Sequence, residues 1–115
     1  VTVLTSLDDA DLTSVGVQSD AAEQVATLAT LAKASGLSGA VCSPHEISTV
    51  RNACGEAFTL VVPGIRPAGS QSGDQKRTMT PKEAMALGAS YLVIGRPITE
   101  SSNPASAATS ILQSL

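Results

Sequence analysis

Aromatic residues are almost missing from this chain. Among 115 residues there is no tryptophan, one tyrosine and one phenylalanine. With so few rings to stack on bases, and a formal net charge of -3 that provides no global basic field, general nucleic-acid binding is excluded. Long apolar runs are missing as well. No stretch approaches the roughly 18 apolar residues of a membrane span, and no signal peptide is visible, so a cytoplasmic protein without membrane contact is expected. Cysteine is scarce: Cys42 and Cys54 are spaced neither as a zinc site nor as a C-x-x-C redox pair. No metal-ligand spacing appears elsewhere. His45 is the only histidine, and it lacks an evident Ser or Asp partner in the sequence. An initiating methionine is also missing. The chain opens directly in the β-forming run Val1 to Leu4, which reads as a chain cut inside a larger protein.

What is present is aliphatic. Apolar residues make up 43% and charged residues 15%, so a core is affordable only from Val, Leu, Ile and Ala. That composition suits parallel strands covered by helices. The order is strand then helix, four times. Strands are expected at Val1–Leu4, Gly39–Cys42, Phe58–Val62 and Tyr91–Ile94. A short helix is expected near Asp8 to Thr13, with Asp8, Asp9 and Asp11 favouring the positive end of its dipole. A long helix is expected over Asp20 to Ala34, with Ser19 as N-cap and Ala21, Val25, Leu28 and Ala32 on one face. Ser43-Pro44-His45-Glu46 and Thr80-Pro81-Lys82-Glu83 each spell a capping-box start. Asn103-Pro104 opens a last helix running to about Leu115. Repeated βα units imply a parallel sheet. Periodicity alone leaves two architectures open: an open doubly wound sheet, or half of a (β/α)8 barrel, which in full takes about 250 residues.

The ends of the strands decide where to look. In both architectures ligands bind at the C-terminal ends of the strands. Gly95 allows close backbone approach, and Arg96 after it offers a fork of donors suited to phosphate. Pro63-Gly64-Ile65-Arg66 places a second guanidinium past the neighbouring strand. Two arginines beside glycines after adjacent strands fit a phosphate site better than two solvated surface groups. The loop that follows, Pro67 to Met79, exceeds the roughly 12 residues of an ordinary connection. It holds Gly69, Ser70, Ser72, Gly73, Asp74, Gln75, Lys76 and Arg77. It reads as a lid over a phosphorylated ligand, mobile when empty and ordered when closed. Ser43 is explained by capping alone, yet it also stands at a strand end within reach of a ligand.

Six motifs occur in order: Val3-Leu4-Thr5-Ser6, Gly39-Ala40-Val41-Cys42-Ser43 with Glu46, Pro63-Gly64-Ile65-Arg66-Pro67, Gly73-Asp74-Gln75 with Arg77, Met79-Thr80-Pro81, and Val93-Ile94-Gly95-Arg96-Pro97-Ile98-Thr99. Together they closely resemble the bacterial orotidine 5′-phosphate decarboxylases, and the resemblance spans the whole chain. It implies an α/β fold, the second half (strands 5-8) of a TIM (β/α)8 barrel, in a homodimer that needs neither metal nor cofactor. It implies conversion of orotidine 5′-phosphate to UMP and carbon dioxide in pyrimidine biosynthesis. By the same resemblance Arg66, Gln75, Arg96 and the Gly95 amide match phosphate-binding groups, with Gln75 also reaching toward the pyrimidine. Ser43 matches a serine that bonds the base, Thr5 matches a nucleotide-contacting threonine, and Pro63 belongs to the same substrate-binding set.

The family's Lys/Asp catalytic array, on a D-x-K-x-x-D motif, has no match here. Asp74-Gln75-Lys76 spells D-x-K, but the later Asp is missing and the segment lies in the lid loop. The proton-donating chemistry is therefore expected upstream, in the N-terminal half of the same barrel, and this chain alone is expected to be inactive. Two alternatives are a phosphosugar decarboxylase or aldolase of the same superfamily, which should lack the G-D-Q loop and the serine, and a free-standing phosphate-binding half-barrel.

Overall fold

The computed structural model describes residues 1–69 and 73–115. Its centre is a three-stranded parallel sheet of β1 (Gly39–Val41), β2 (Thr59–Val62) and β3 (Tyr91–Leu92), in that spatial order. Gly39 stands opposite Thr59, and Val61 opposite Tyr91. The strands are one or two residues shorter than the apolar runs that form them. The pairing nevertheless continues at their edges, through Cys42 N to Val61 O at 3.3 Å and Val93 N to Val62 O at 2.9 Å.

Val1–Leu4 does not form the expected strand. One backbone bond, Thr2 N to Val41 O at 3.0 Å, holds it beside β1, and the Thr2 hydroxyl donates to the same carbonyl at 2.7 Å. A single backbone bond is not a ladder. Alternation survives over the end of the segment: Val3 and Thr5 are buried while Leu4 between them is exposed, as an extended segment with one covered face requires.

The helices follow their caps. α1 (Asp9–Ser14) starts from Asp8, whose carboxylate accepts from Asp11 N, and Asp11 returns the bond to Asp8 N. α2 (Ala21–Ala34) is capped by Asp20 and not by Ser19: Asp20 Oδ1 accepts from Glu23 N at 2.8 Å. Asp20 sits three residues before the donor, the N-cap reach, and its charge favours the helix dipole. Ser19 bonds Gln24 instead. A 3₁₀ turn, Pro44–Glu46, leads into α3 (Ile47–Cys54), which stops at Gly55 with φ 85°. α4 (Pro81–Ala86) has the expected capping box between Thr80 and Glu83. α5 (Arg96–Thr99) was not anticipated, because four residues carry no helical period. α6 (Pro104–Gln113) ends two residues earlier than expected.

The core is aliphatic. Val25, Ala29, Ile47, Val50, Leu60, Val62, Ile65 and Ala84 are fully buried, with Phe58 the only aromatic beside them. Arg51 of α3 stitches this core to the next unit. Its guanidinium donates to Gly88 O at 3.0 and 2.7 Å and to the carbonyls of Gly55, Glu56 and Phe58. The Pro63–Met79 connection is not wholly irregular: Ile65 forms a parallel bridge to Met79, with Arg66 N donating to Met79 O at 2.9 Å.

Both flanks of the sheet are apolar and open. Beyond β3, a recess of about 430 Å³ is lined by Tyr91, Leu92, Ile94, Ile98, Ile111 and Leu112, among others. Beyond β1, one of about 300 Å³ lies among Val1, Leu28, Leu31, Leu37 and Ala40.

Gly39 tests the closeness of the sheet. A Cβ there would collide with the Thr59 carbonyl across the β1–β2 pair. Gly39→Ala is therefore expected to destabilise the full-length protein by about 1–3 kcal/mol, as overpacking does. Urea unfolding measures it, and an unchanged midpoint would show that the strands yield at no cost.

Candidate functional site at the C-terminal strand ends

The residues singled out by sequence gather around the loop after β2. Gly64 turns that loop with φ 75°, and a Cβ there would meet Arg77 O at 2.9 Å, a Thr5 methyl at 3.2 Å and Pro44 at 3.4 Å. The ends of three segments, at Thr5, Pro44 and Gly64, thus close on the returning loop, next to Pro63. The loop is tied to the first of them twice: Lys76 N donates to Thr5 O at 3.2 Å, and the Thr5 hydroxyl donates to Gln75 Oε1.

Arg96 is the first residue of α5, directly after Gly95 and a short way past the end of β3. Its Nη2 pairs with Asp74 Oδ1. The guanidinium lies over Gly73, where a Cβ would come within 2.7 Å of Nη1. Arg96 also holds the Asp74 carboxyl below the usual carboxylate range. Gly95 has open space where a Cβ would stand, so nothing within the described residues demands glycine there. Arg66 is half-buried, and its Nη1 donates to Ile65 O at 2.9 Å. Of the loop's small residues, Ser70 and Ser72 lie outside the described residues.

Ser43 is fully buried. Its hydroxyl donates to Glu46 Oε2 and accepts from His45 N at 3.2 Å. Glu46 does not complete the expected capping box. Its carboxylate bonds Ser43 with one oxygen and Arg77 with the other. Arg77 Nη2 then donates to Leu4 O at 2.9 Å. This buried chain from loop to strand end escaped the sequence, because a Glu three residues after a Ser reads as a helix start. His45 is spent on Thr78 O at 3.0 Å. Burial first, and then Glu46's charge, push the Cys42 thiol up to about 12, so it stays protonated and unreactive. Among the described residues no three His, Cys, Asp or Glu side chains come together to hold a metal. No described helix is long and apolar enough to cross a membrane.

A model of the orotidine 5′-phosphate decarboxylase / HUMPS family matches residues 1–111. The chain belongs to this family. It is 56% identical over 111 residues to an orotidine 5′-phosphate decarboxylase of Haemophilus influenzae, covering 96% of this chain and 48% of that protein. It is 53% identical over 115 residues to the Glaesserella parasuis enzyme, covering 100% and 50%. The crystal structure of the Lactobacillus acidophilus decarboxylase superposes with a TM-score of 0.78 at 41% identity, covering 97% of this chain and 46% of that one. The chain thus spans about half the length of the curated relatives it matches.

In this orotidine 5′-phosphate decarboxylase family member the loop is also held electrostatically. Lys76 Nζ lies 2.8 Å from Asp8 Oδ2 and 2.7 Å from Asp11 Oδ2. The two carboxylates, Asp11 first, raise the Lys76 pKa, and Lys76 chiefly lowers Asp8 to about 2. A depressed carboxyl contributes stability that is present above its unfolded pKa and lost as pH falls through the folded one. A raised ammonium contributes stability that is present below its unfolded pKa and lost as pH rises through the folded one. The latch therefore holds across the whole neutral range and opens only at the two extremes. Carboxyl-detected NMR should place the Asp8 midpoint near 2 and, in Lys76→Met, back toward the ordinary value. A midpoint that the substitution leaves unmoved would show that Lys76 is not the cause.

Proposed function

We propose that this chain is the C-terminal half, strands five to eight, of an orotidine 5′-phosphate decarboxylase barrel, and that it supplies the phosphate and pyrimidine grip. In this reading Val1–Leu4 is the strand-five segment and β1 to β3 are strands six to eight. The two open apolar flanks support it, because a closed barrel leaves no such edges. The N-terminal half of the barrel would cover them, in a homodimeric cytoplasmic enzyme without cofactor.

The observation that carries the reading is the pairing of Arg96 with the Asp74 carboxylate at the end of β3. A guanidinium at a strand end already accepts an oxyanion, delivered by the loop that would close on the ligand. In a barrel, the loops after the seventh and eighth strands commonly form the phosphate site. In this reading Arg66 and Arg96 follow those two strands. The phosphate would take the Asp74 position on Arg96, joined by Arg66, Gln75 and the Gly95 amide. Thr5, Ser43 and Pro63 would face the nucleoside. The loop would act as a lid with a fixed root, since Lys76 and Arg77 are already bonded to Asp8, Asp11, Glu46 and Leu4.

The chemistry then divides between halves. Loss of carbon dioxide from orotidine 5′-phosphate leaves a carbanion that must be protonated to give UMP. The chain has no match to the family's D-x-K-x-x-D array, and the one lysine beside the site, Lys76, is committed to Asp8 and Asp11 at the loop root. Phosphate binding remote from the reacting carbon can be converted into transition-state stabilisation when the lid closes.

Two measurements follow. In the full-length protein, UMP should bind much more tightly than uridine. Arg96→Ala should weaken UMP binding roughly ten- to a hundredfold, the value of one or two charge-assisted hydrogen bonds. Equal affinity of wild type and variant by calorimetry would remove Arg96 from the site. The isolated chain should not decarboxylate orotidine 5′-phosphate by ultraviolet absorbance. Turnover above background, with no companion fragment detected by mass spectrometry, would defeat the division into halves.

A further inference from the structure

A serine hydroxyl has one proton and two lone pairs to give. In Ser43 the proton goes to Glu46, and one lone pair takes the His45 N–H. Glu46 is not free to let go. Its other oxygen is held by Arg77, and Arg77 is anchored on the Leu4 carbonyl. Ser43, Glu46 and Arg77 are 0%, 3% and 8% exposed, so water does not compete for these bonds. One lone pair of Ser43 is all that remains uncommitted.

We propose that Glu46 is a positioning residue that fixes the hydrogen-bond polarity of Ser43, and thereby selects the base. This rests on the reading of Ser43 as a base contact. A hydroxyl that can only accept favours a ring presenting an N–H, the imide of a uracil-type base. It disfavours a ring presenting a bare nitrogen acceptor, as in a cytosine-type base, because two lone pairs would then face each other in a dry site. Ser43 is covered in this structure, so a base reaches it only when that cover opens. The Glu46–Arg77 pair persists through opening, since it is bonded to the backbone of the first segment and not to the loop tip.

The test is Glu46→Gln in the full-length protein. Arg77 has only donors, so it draws the amide oxygen toward itself and turns the amide NH₂ on Ser43. Ser43 then accepts from the amide, and its own proton is released toward the ligand. Calorimetry with UMP, CMP and ribose 5-phosphate reads the result. The UMP-to-CMP preference should fall by about tenfold or more, the value of a reversed hydrogen bond. Affinity for ribose 5-phosphate, which lacks a base, should stay within about twofold, as a site whose phosphate grip is untouched requires. Equal weakening of all three ligands would show a purely structural role and overturn the proposal, as would an unchanged preference. Should Glu46→Gln fail to fold, Ser43→Ala decides, since it strands no charge. A reduced UMP-to-CMP preference supports the proposal, and the wild-type preference overturns it. Wild-type protein that binds UMP no better than uridine would instead defeat the functional reading itself.

Discussion

Arg77 carries its charge into the interior, and three separate segments are built around it. Its guanidinium meets the Glu46 carboxylate, and its second nitrogen reaches the Leu4 carbonyl, with Val3 O at 3.5 Å. The first segment, the 3₁₀ turn before α3 and the end of the long loop are therefore fixed by one side chain. The arrangement is costly. Both charges are almost fully buried, and Arg77 Nε has no partner among the described residues. An unsatisfied buried donor costs about 1–3 kcal/mol, and a buried ion pair often gains nothing over apolar residues of the same shape. Stability is thus a poor reason for it. Definition of geometry is a better one: no apolar substitute would orient a serine hydroxyl and a loop root at once.

That constraint explains how a short chain presents a formed strand-end site while its flanks stay unfinished. Within the chain, the sheet closes by parallel pairing of β1, β2 and β3, and Arg51 locks the turn at Gly88 to the start of β2. At the flanks, Tyr91, Val93 and Leu112 on one side and Val1, Leu31 and Leu37 on the other remain exposed. Burying apolar surface stabilises by about 25 cal/mol per Å², so both edges favour whatever completes the sheet.

Much of this was legible in residue order, for reasons that differ by element. Caps carry local signals, so the starts at Thr80 and Asn103 were readable. Ser19 against Asp20 was a contest between neighbours, settled by which oxygen stands three residues before a free N–H. Strand lengths were not readable, since Val1–Leu4 has the composition of a strand but makes one backbone bond to a neighbour. Arg66 and Arg96 were readable as candidate site residues because each follows a strand and a glycine. The partners of Lys76 and Arg77 were not. Asp8 and Glu46 lie 68 and 31 residues away from them, and at such separations no local pattern carries a pairing. For both acids a helix start was the nearer explanation. For Asp8 it was correct and incomplete, and for Glu46 it was wrong.

The site residues satisfy one another in this structure, and that has a thermodynamic consequence. Arg96 holds Asp74, and Thr5 holds Gln75. In the proposed site, a phosphate arriving at Arg96 would displace a carboxylate and not only water. The carboxylate is the weaker competitor. It carries one charge on an exposed side chain, where ion pairs are worth about 0–1 kcal/mol, whereas a phosphate brings nearly two charges and three acceptor oxygens. The difference would go to the ligand, while the internal pair keeps the guanidinium oriented beforehand. Less rotamer entropy is then lost on binding. Displacing Asp74 would also undo one tie of a loop whose root is held by Arg77 and Lys76. In that reading a phosphate that exchanged one partner of Arg96 would act on the loop that carries Gln75, so the charge proposed to grip the ligand would also move its cover.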